Sequence, residues 1–261
     1  MKGDLLEQHL RALPYFRGTL RAVEARMMGA VNLPSPVLDI GAGDGHFAEV
    51  TYDRPLDVGI DPDFPSLREA STRGSYRSLI QADGARLPYA NQTFSSGISN
   101  SVLEHIPHLD AVLSEVGRVL KPGAPFAITV PNPGYRTQLS LPKFLRSIGL
   151  RGPAEAYRAW FMRMSRTWNL FDVEGWRRKF DAAGFEIEQC QSYFSPSALS
   201  MLEWGHYFGG PSLVSRWLTG RWILAPTGWN LALTDWWVRK YFEEPATEDG
   251  TYTFYLARRR A

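Results

Sequence analysis

Apolar and polar positions along the chain fall into two alternating rhythms. Short runs of strand character, Val37–Ile40, Asp57–Asp61, Ser78–Ala82, the stretch opening at Gly97, and Phe126–Val130, are each bounded by glycine, proline or a carboxylate. Between them apolar residues recur at helical spacing, which predicts helices over 44–52, 64–73 and 109–119, the last through Leu109, Val112, Leu113 and Val116. Strand and helix alternate as in βαβ units, so the expected fold is a doubly wound α/β sheet, mostly parallel, with helices on both faces. Upstream, residues 4–31 read as one or two amphipathic helices broken near Pro14, with Leu20, Val23, Met27 and Met28 on the buried stripe.

After Val130 the rhythm is interrupted twice. Residues 134–171 precede the next helix, Val173–Ala183, which closes on Gly184. Residues 195–250 separate the alternating strand Phe185–Cys190 from a closing strand, Thr251–Ala257. If the fifth and sixth strands run parallel to the first, both insertions leave from the carboxyl edge, where open α/β sheets bind ligands. They are expected to meet there as a lid or substrate chamber. The chain thus divides into an N-terminal helical cover, 1–34, and a sheet domain, 35–261, with insertions at 134–171 and 195–250.

The chemistry concentrates in the turns. Val37–Ile40 runs into Gly41, Gly43 and Gly45 at alternate positions, and His46–Val50 then opens a helix. Glycines there let the backbone approach a ligand closely, while free N–H groups at the helix start face it. Alone, such a turn fits dinucleotide cofactors, adenosyl cofactors or a plain tight turn. The second strand ends in Asp61, placed to accept both hydroxyls of a ribose, and the third in Asp83-Gly84, where a carboxylate can take a hydrogen bond from an adenine amino group.

In that order the stretches VLDIGAGDG, GIDPD, ADGARLPY, SNSVLEHI and GRVLKPGAPFAITVPNP resemble the motifs of class I S-adenosylmethionine-dependent methyltransferases. The resemblance is to the type 11 group, which includes the ubiquinone and menaquinone methyltransferases, and covers residues 35–133 and 171–193. It implies a Rossmann-like sheet of seven strands with the seventh antiparallel, S-adenosylmethionine as cofactor, and cofactor-binding roles for Asp39, Gly41, Gly43, Asp61, Asp83, Gly84 and Asn100. It also implies that the N-terminal segment covers the cofactor, with Tyr15, Phe16, Arg17 and Arg21 facing the methionine end; the alternative is a packed helix with solvated arginines. The chain departs from the family at Phe94, followed by Ser95 and Ser96 where Phe-Asp is usual.

Methyl transfer from a sulfonium is an in-line displacement, so the protein must align donor and acceptor and exclude water. A general base is needed only for a hydroxyl, thiol or carbon acid. His105, after the fourth strand, is the catalytic candidate, since a histidine titrating near neutrality suits that role. Glu104 stands beside it, and Tyr193, His206 and Tyr207 lie in or near the second insertion. No Cys/His cluster has metal-ligand spacing, so no metal is expected. Val130–Tyr135 superficially resembles the Asn-Pro-Pro-Tyr signature of amino methyltransferases but follows the fifth strand instead of the fourth.

Composition narrows the partners. With 29 basic and 27 acidic side chains the net charge is near zero, so no nucleic acid is expected as partner. The single cysteine, Cys190, points to a reducing, cytoplasmic setting. No run of apolar residues is long enough to span a bilayer, which limits any membrane contact to the periphery. Residues 134–171 nevertheless carry Arg136, Lys143, Arg146, Arg151, Arg158, Arg163 and Arg166 against Glu155 alone. Residues 195–250 hold Trp204, Trp217, Trp222, Trp229, Trp236 and Trp237 out of nine tryptophans in the chain. These describe either a solvated basic face over an aromatic mini-core, or an apolar, cation-rimmed mouth for a lipophilic acceptor. The leading reading is methyl transfer to a small, bulky apolar or lipid-like acceptor. A nucleic-acid methyltransferase and a catalytically silent adenosylmethionine-binding module are the alternatives.

Overall fold

The computed structural model describes residues 3–261, the side chains of 210 and 211 excepted. Helices α1 (Leu5–Ala12) and α2 (Tyr15–Met28) come first, divided at Pro14 as the sequence predicts. Asp4 caps α1 by accepting from the Leu6 and Glu7 backbone N–H groups. The parallel strands β1 (Val37–Ile40), β2 (Leu56–Asp61), β3 (Tyr76–Gln81), β4 (Ser96–Asn100) and β5 (Pro125–Pro131) follow. They alternate with α3 (His46–Thr51), α4 (Phe64–Ala70) and α5 (Leu109–Val119). Between β5 and α9 (Val173–Ala182) lie α6 (Pro133–Thr137), α7 (Ser140–Ser147) and α8 (Arg151–Met164). Between β6 (Phe185–Tyr193) and β7 (Tyr252–Arg259) lie α10 (Pro196–Phe208), α11 (Gly210–Thr219) and α12 (Gly228–Glu243).

The sheet order is β3-β2-β1-β4-β5-β7-β6, with β7 antiparallel to both neighbours. This is the doubly wound, seven-stranded arrangement expected. Every residue of β1 and β4 is buried, as central strands covered on both faces must be. Alternate side chains go to opposite faces. Leu38, Ile40, Phe126 and Ile128 pack with α5 and with Trp176 and Phe180 of α9. Val37, Ile98 and Ala127 pack with Phe16, Leu20, Val23 and Met28 of α2. Burying each such side chain contributes roughly 1.5–3 kcal/mol, so α2 is an integral layer of the sheet.

Some boundaries differ from the sequence reading. The helix expected from 44 begins at His46, because Gly45 still belongs to the turn. The one expected to reach 73 stops at Ala70 in a turn through Gly74. The third strand starts at Tyr76, two residues early, because Tyr76 already pairs with Leu56.

Strand order reverses between β1 and β4, and the crevice above their carboxyl ends is where open α/β sheets take ligands. Pro131 ending β5, Tyr193 ending β6 and Tyr252 opening β7 are register neighbours. Both insertions therefore leave the sheet at that same edge.

Candidate active site

Above β1 and β4 a cavity of about 350 Å³ is lined by Gly41, Gly43, Asp61 and Asn100 from below, and by Arg17, Arg21 and Trp222 from above. Two of its glycines are required for different reasons. Gly41 has φ of 86°, and a Cβ there would lie 2.5 Å from Val102 Cγ2. Gly43 has φ of 53°, but a Cβ there meets nothing within 4 Å, so its backbone stands open for a ligand to approach. Asp61 accepts from the backbone N–H of Gly43 at 2.9 Å and of Asp63 at 2.8 Å, which fixes its carboxylate at the mouth of the turn.

Asp39 sits inside β1 and accepts the Tyr76 hydroxyl at 2.6 Å. Burial pushes its carboxyl up to about 7, against the lowering effect of that hydrogen bond. His46 lines the cavity and meets His9 of α1 edge-on at 5.0 Å. Burial lowers the pKa of both rings, so both are neutral at physiological pH.

Asn100 also lines the cavity, yet its side chain is spent elsewhere. Its amide donates to Glu24 at 3.0 Å and its carbonyl oxygen accepts from Thr129 at 2.7 Å. Glu24, fully buried on α2, is the centre of a network that sequence reasoning missed. It accepts from Arg21 at 2.8 Å, Ser101 at 2.6 Å and Tyr193 at 3.2 Å as well. Arg21 is thus locked over the cavity, and the reading of solvated arginines on α2 does not describe it. The available signal was position: Glu24 falls on the Leu20-to-Met28 stripe, three residues after Arg21.

Asp83 and Gly84 stand apart from this cavity. Asp83 is exposed past β3 and accepts from the Ala85 backbone N–H. Gly84 lies against α5, where a Cβ would come 3.2 Å from Val112.

A second cavity of about 710 Å³ adjoins the first and shares Arg17, Arg21 and Trp222 with it. Its other walls include Glu104, His105, Tyr135, Leu202, His206 and Tyr252. His105 Nδ1 lies 2.9 Å from the Arg166 carbonyl oxygen. A carbonyl only accepts, so Nδ1 carries the proton and Nε2 is left with its lone pair. Desolvation of the ring, whose side chain stays 43% exposed, lowers the imidazole pKa against the raising effect of that hydrogen bond, which keeps the lone pair free at neutral pH. Glu104 Oε1 is 3.7 Å from Nε2. Burial raises the Glu104 carboxyl to about 8, and its Oε2 is buried with no hydrogen-bond partner among the described residues. The cavity therefore holds a neutral acid beside a neutral base.

The remaining candidates divide. His206 lines the same chamber and donates from Nδ1 to the Leu202 carbonyl. Tyr193 is committed to Glu24, and the Tyr207 hydroxyl donates to Tyr157 of α8. Asn132, from the stretch resembling the amino-methyltransferase signature, caps α6 and donates to the Gly250 carbonyl, which makes it a structural tie.

Residues 38–128, from β1 through most of β5, match the family described as methyltransferase domain. The resemblance carried by the motifs holds for that stretch. An uncharacterized methyltransferase of Mycobacterium tuberculosis is 33% identical over 119 residues, 41% of this chain and 47% of that protein. The chain thus spans about half the length of such curated relatives. Among solved structures, phosphoethanolamine N-methyltransferase 2 of Haemonchus contortus in complex with S-adenosyl-L-methionine superposes with a TM-score of 0.58 at 17% identity, over 95% of this chain and 54% of that one. The cyclase SpnF does so at 0.53 and 19%, over 92% and 81%. At these identities the likeness is one of fold, and the fold is that of S-adenosylmethionine-dependent methyltransferases.

Proposed function

We propose that the methyltransferase domain at residues 38–128, closed by its two insertions, takes a methyl group from S-adenosylmethionine to a bulky, largely apolar acceptor. The observation that carries this reading is the pair of adjoining cavities with Arg17, Arg21 and Trp222 as a common wall. One has the glycine turn and the Asp61 carboxylate that an adenosyl cofactor needs, and Gly43 leaves its backbone open there. Gly41 and Gly43 would lie against the methionine portion, Asp61 would take the ribose hydroxyls, and Asp83 would lie toward the adenine. When bound, the cofactor supplies an electrophilic methyl group on its sulfonium.

The larger cavity receives the acceptor. Tyr135, Leu202 and Tyr252 give it apolar walls, and burial there excludes water. His105 Nε2 accepts the proton that a hydroxyl, thiol or carbon acid must lose. Glu104 is a positioning residue: above about pH 8, where it has released its proton to solvent, its carboxylate stabilises the imidazolium so formed.

Calorimetry and an acceptor screen test this together. The intact protein is expected to bind S-adenosylmethionine or S-adenosylhomocysteine, and Asp61→Ala to weaken binding by about ten-fold or more, the effect of losing a charged acceptor that would pair with the ligand. Labelled cofactor run over lipid, quinone, phenol and amine pools should mark an apolar acceptor. His105→Ala should depress turnover by about 10²-fold with cofactor affinity retained. No binding by the intact chain, or equal binding by Asp61→Ala, removes the cofactor assignment.

A further inference from the structure

The two insertions expose apolar side chains that no core absorbs. At the turn joining α7 to α8, Phe144, Ile148 and Leu150 stand in solvent, Phe144 with 59% of its surface accessible. Lys143, Arg146 and Arg151 alternate with them and are exposed as well. The one acid between residues 134 and 171, Glu155, is already held by Arg158 and Arg146. Lys143 and Arg151, at the tip itself, make no ion pair among the described residues. The tip is therefore apolar and uncompensated in charge.

A row of touching rings extends this surface. Trp160 of α8 stacks on Tyr207, and Trp204 contacts both Tyr207 and Phe208. The Trp204 indole N–H donates to Ser140 at the start of α7, tying the two insertions together. All four rings are exposed. Phe208 ends α10, and the chain passes into α11, where Val214, Leu218 and Trp217 face water, Trp217 at 83%. Leu213 of the same helix is part of the acceptor chamber wall. The exposed surface and the chamber are thus built from one element.

Apolar surface on this scale marks an interaction site. The charge pattern selects the partner. Aliphatic and aromatic side chains interleaved with cations, and lacking a free acid, match a surface that is apolar below and anionic at its rim. Indoles favour that boundary because the ring is apolar while the N–H still finds a partner. A nucleic acid would use the cations but leave Ile148 and Leu150 in water. No helix among the described residues is long and apolar enough to cross a membrane, so the contact is peripheral.

We infer that the α7–α8 turn and the outer side of α10 and α11 seat on an anionic bilayer, turning the chamber toward the lipid. The docking itself stands on the exposed surface; the delivery of acceptor rests on the function proposed above. Cosedimentation of the full chain, without cofactor or acceptor, tests docking by itself. The chain is expected to pellet with vesicles of phosphatidylcholine and phosphatidylglycerol at low salt, and less at physiological salt. Lys143→Glu with Arg151→Glu should cut vesicle affinity about five-fold per lost cation or more. Phe144→Ser with Ile148→Ser should cut it at both salt concentrations, and Trp217→Ser reports from the other insertion. These side chains are exposed, so an unchanged melting temperature accompanies each loss.

No pelleting with anionic vesicles at low salt overturns the inference, as does equal pelleting of all variants or stronger retention on RNA than on lipid. A chain that methylates an apolar acceptor supplied in solution without pelleting keeps its function and loses this face. One that pellets and methylates nothing does the reverse.

Discussion

Two buried glutamates show how far a single residue can govern this site. Glu24 stays inside the protein because Arg21, Asn100, Ser101 and Tyr193 all donate to it. An unpaired carboxylate there would cost several kcal/mol. Nothing in the sequence brings those partners together, since Asn100 and Tyr193 lie far along the chain and a helical glutamate is ordinarily solvated. Glu104 is the opposite case, buried beside His105 with one oxygen unpartnered. Burial raises its carboxyl from 4.5 to about 8, so the folded chain keeps a proton that the unfolded chain releases between those values. This group's contribution to stability is therefore greatest at acidic pH and falls as pH rises through that window. Glu104→Gln should raise stability near pH 8 by on the order of 4 kcal/mol and change little at acidic pH. Thermal unfolding across the range decides it, and a difference independent of pH would mean that Glu104 is not held protonated. The same substitution should remove any rise in kcat/KM near pH 8 due to ionised Glu104 beside His105.

At the scale of elements, the turn after β1 was the most legible part of the chain, because its glycines answer to backbone geometry that leaves a sequence signature. What the sequence did not separate is their work. Gly41 is hemmed in by Val102, whereas Gly43 borders open cavity. Gly41→Ala is expected to lower stability by about 1–3 kcal/mol through strain and clash, with cofactor affinity falling alongside. Gly43→Ala should cost about 1 kcal/mol in stability and lose proportionately more affinity, because the added methyl points where a ligand would lie. Melting curves paired with S-adenosylhomocysteine titrations would expose the contrast, and equal ratios of the two losses would contradict it. The central strands were legible as short apolar runs bounded by turn residues, as strands buried on both faces must be, and α5 was legible because a period of 3.6 reports which of its faces is buried. The helices of the insertions were not. Their apolar residues point outward as often as inward, as Phe144, Leu218 and Trp236 do, so an apolar stripe there does not report which face is buried. Asp83 was legible as a strand-ending carboxylate, but its exposed position beyond the glycine-turn cavity was not.

In the whole molecule the two cavities are joined by the second insertion. Trp222 lies in the wall of both, with the guanidinium groups of Arg17 and Arg216 over its ring at 5.6 and 5.5 Å. Arg216 also pairs with Glu69 of α4 at 3.0 Å, and Glu69 itself borders the cofactor cavity. The short segment after α11 is thus held by half-exposed contacts, each worth about 1 kcal/mol or less, over a site whose ligand would add to them. Segments held this weakly open locally, and a ligand that contacts the closed form shifts the balance toward it. S-adenosylhomocysteine is therefore expected to slow amide hydrogen exchange across residues 213–223 and in α2, which supplies Arg17 and Arg21. Exchange in α9 should not change, because Trp176 and Phe180 pack on the far face of the sheet. Trp222→Ala should abolish the protection after α11 while leaving that in the glycine turn. Protection confined to the glycine turn in the unaltered protein would show that the insertion does not close with the cofactor, and that the acceptor alone orders the lid.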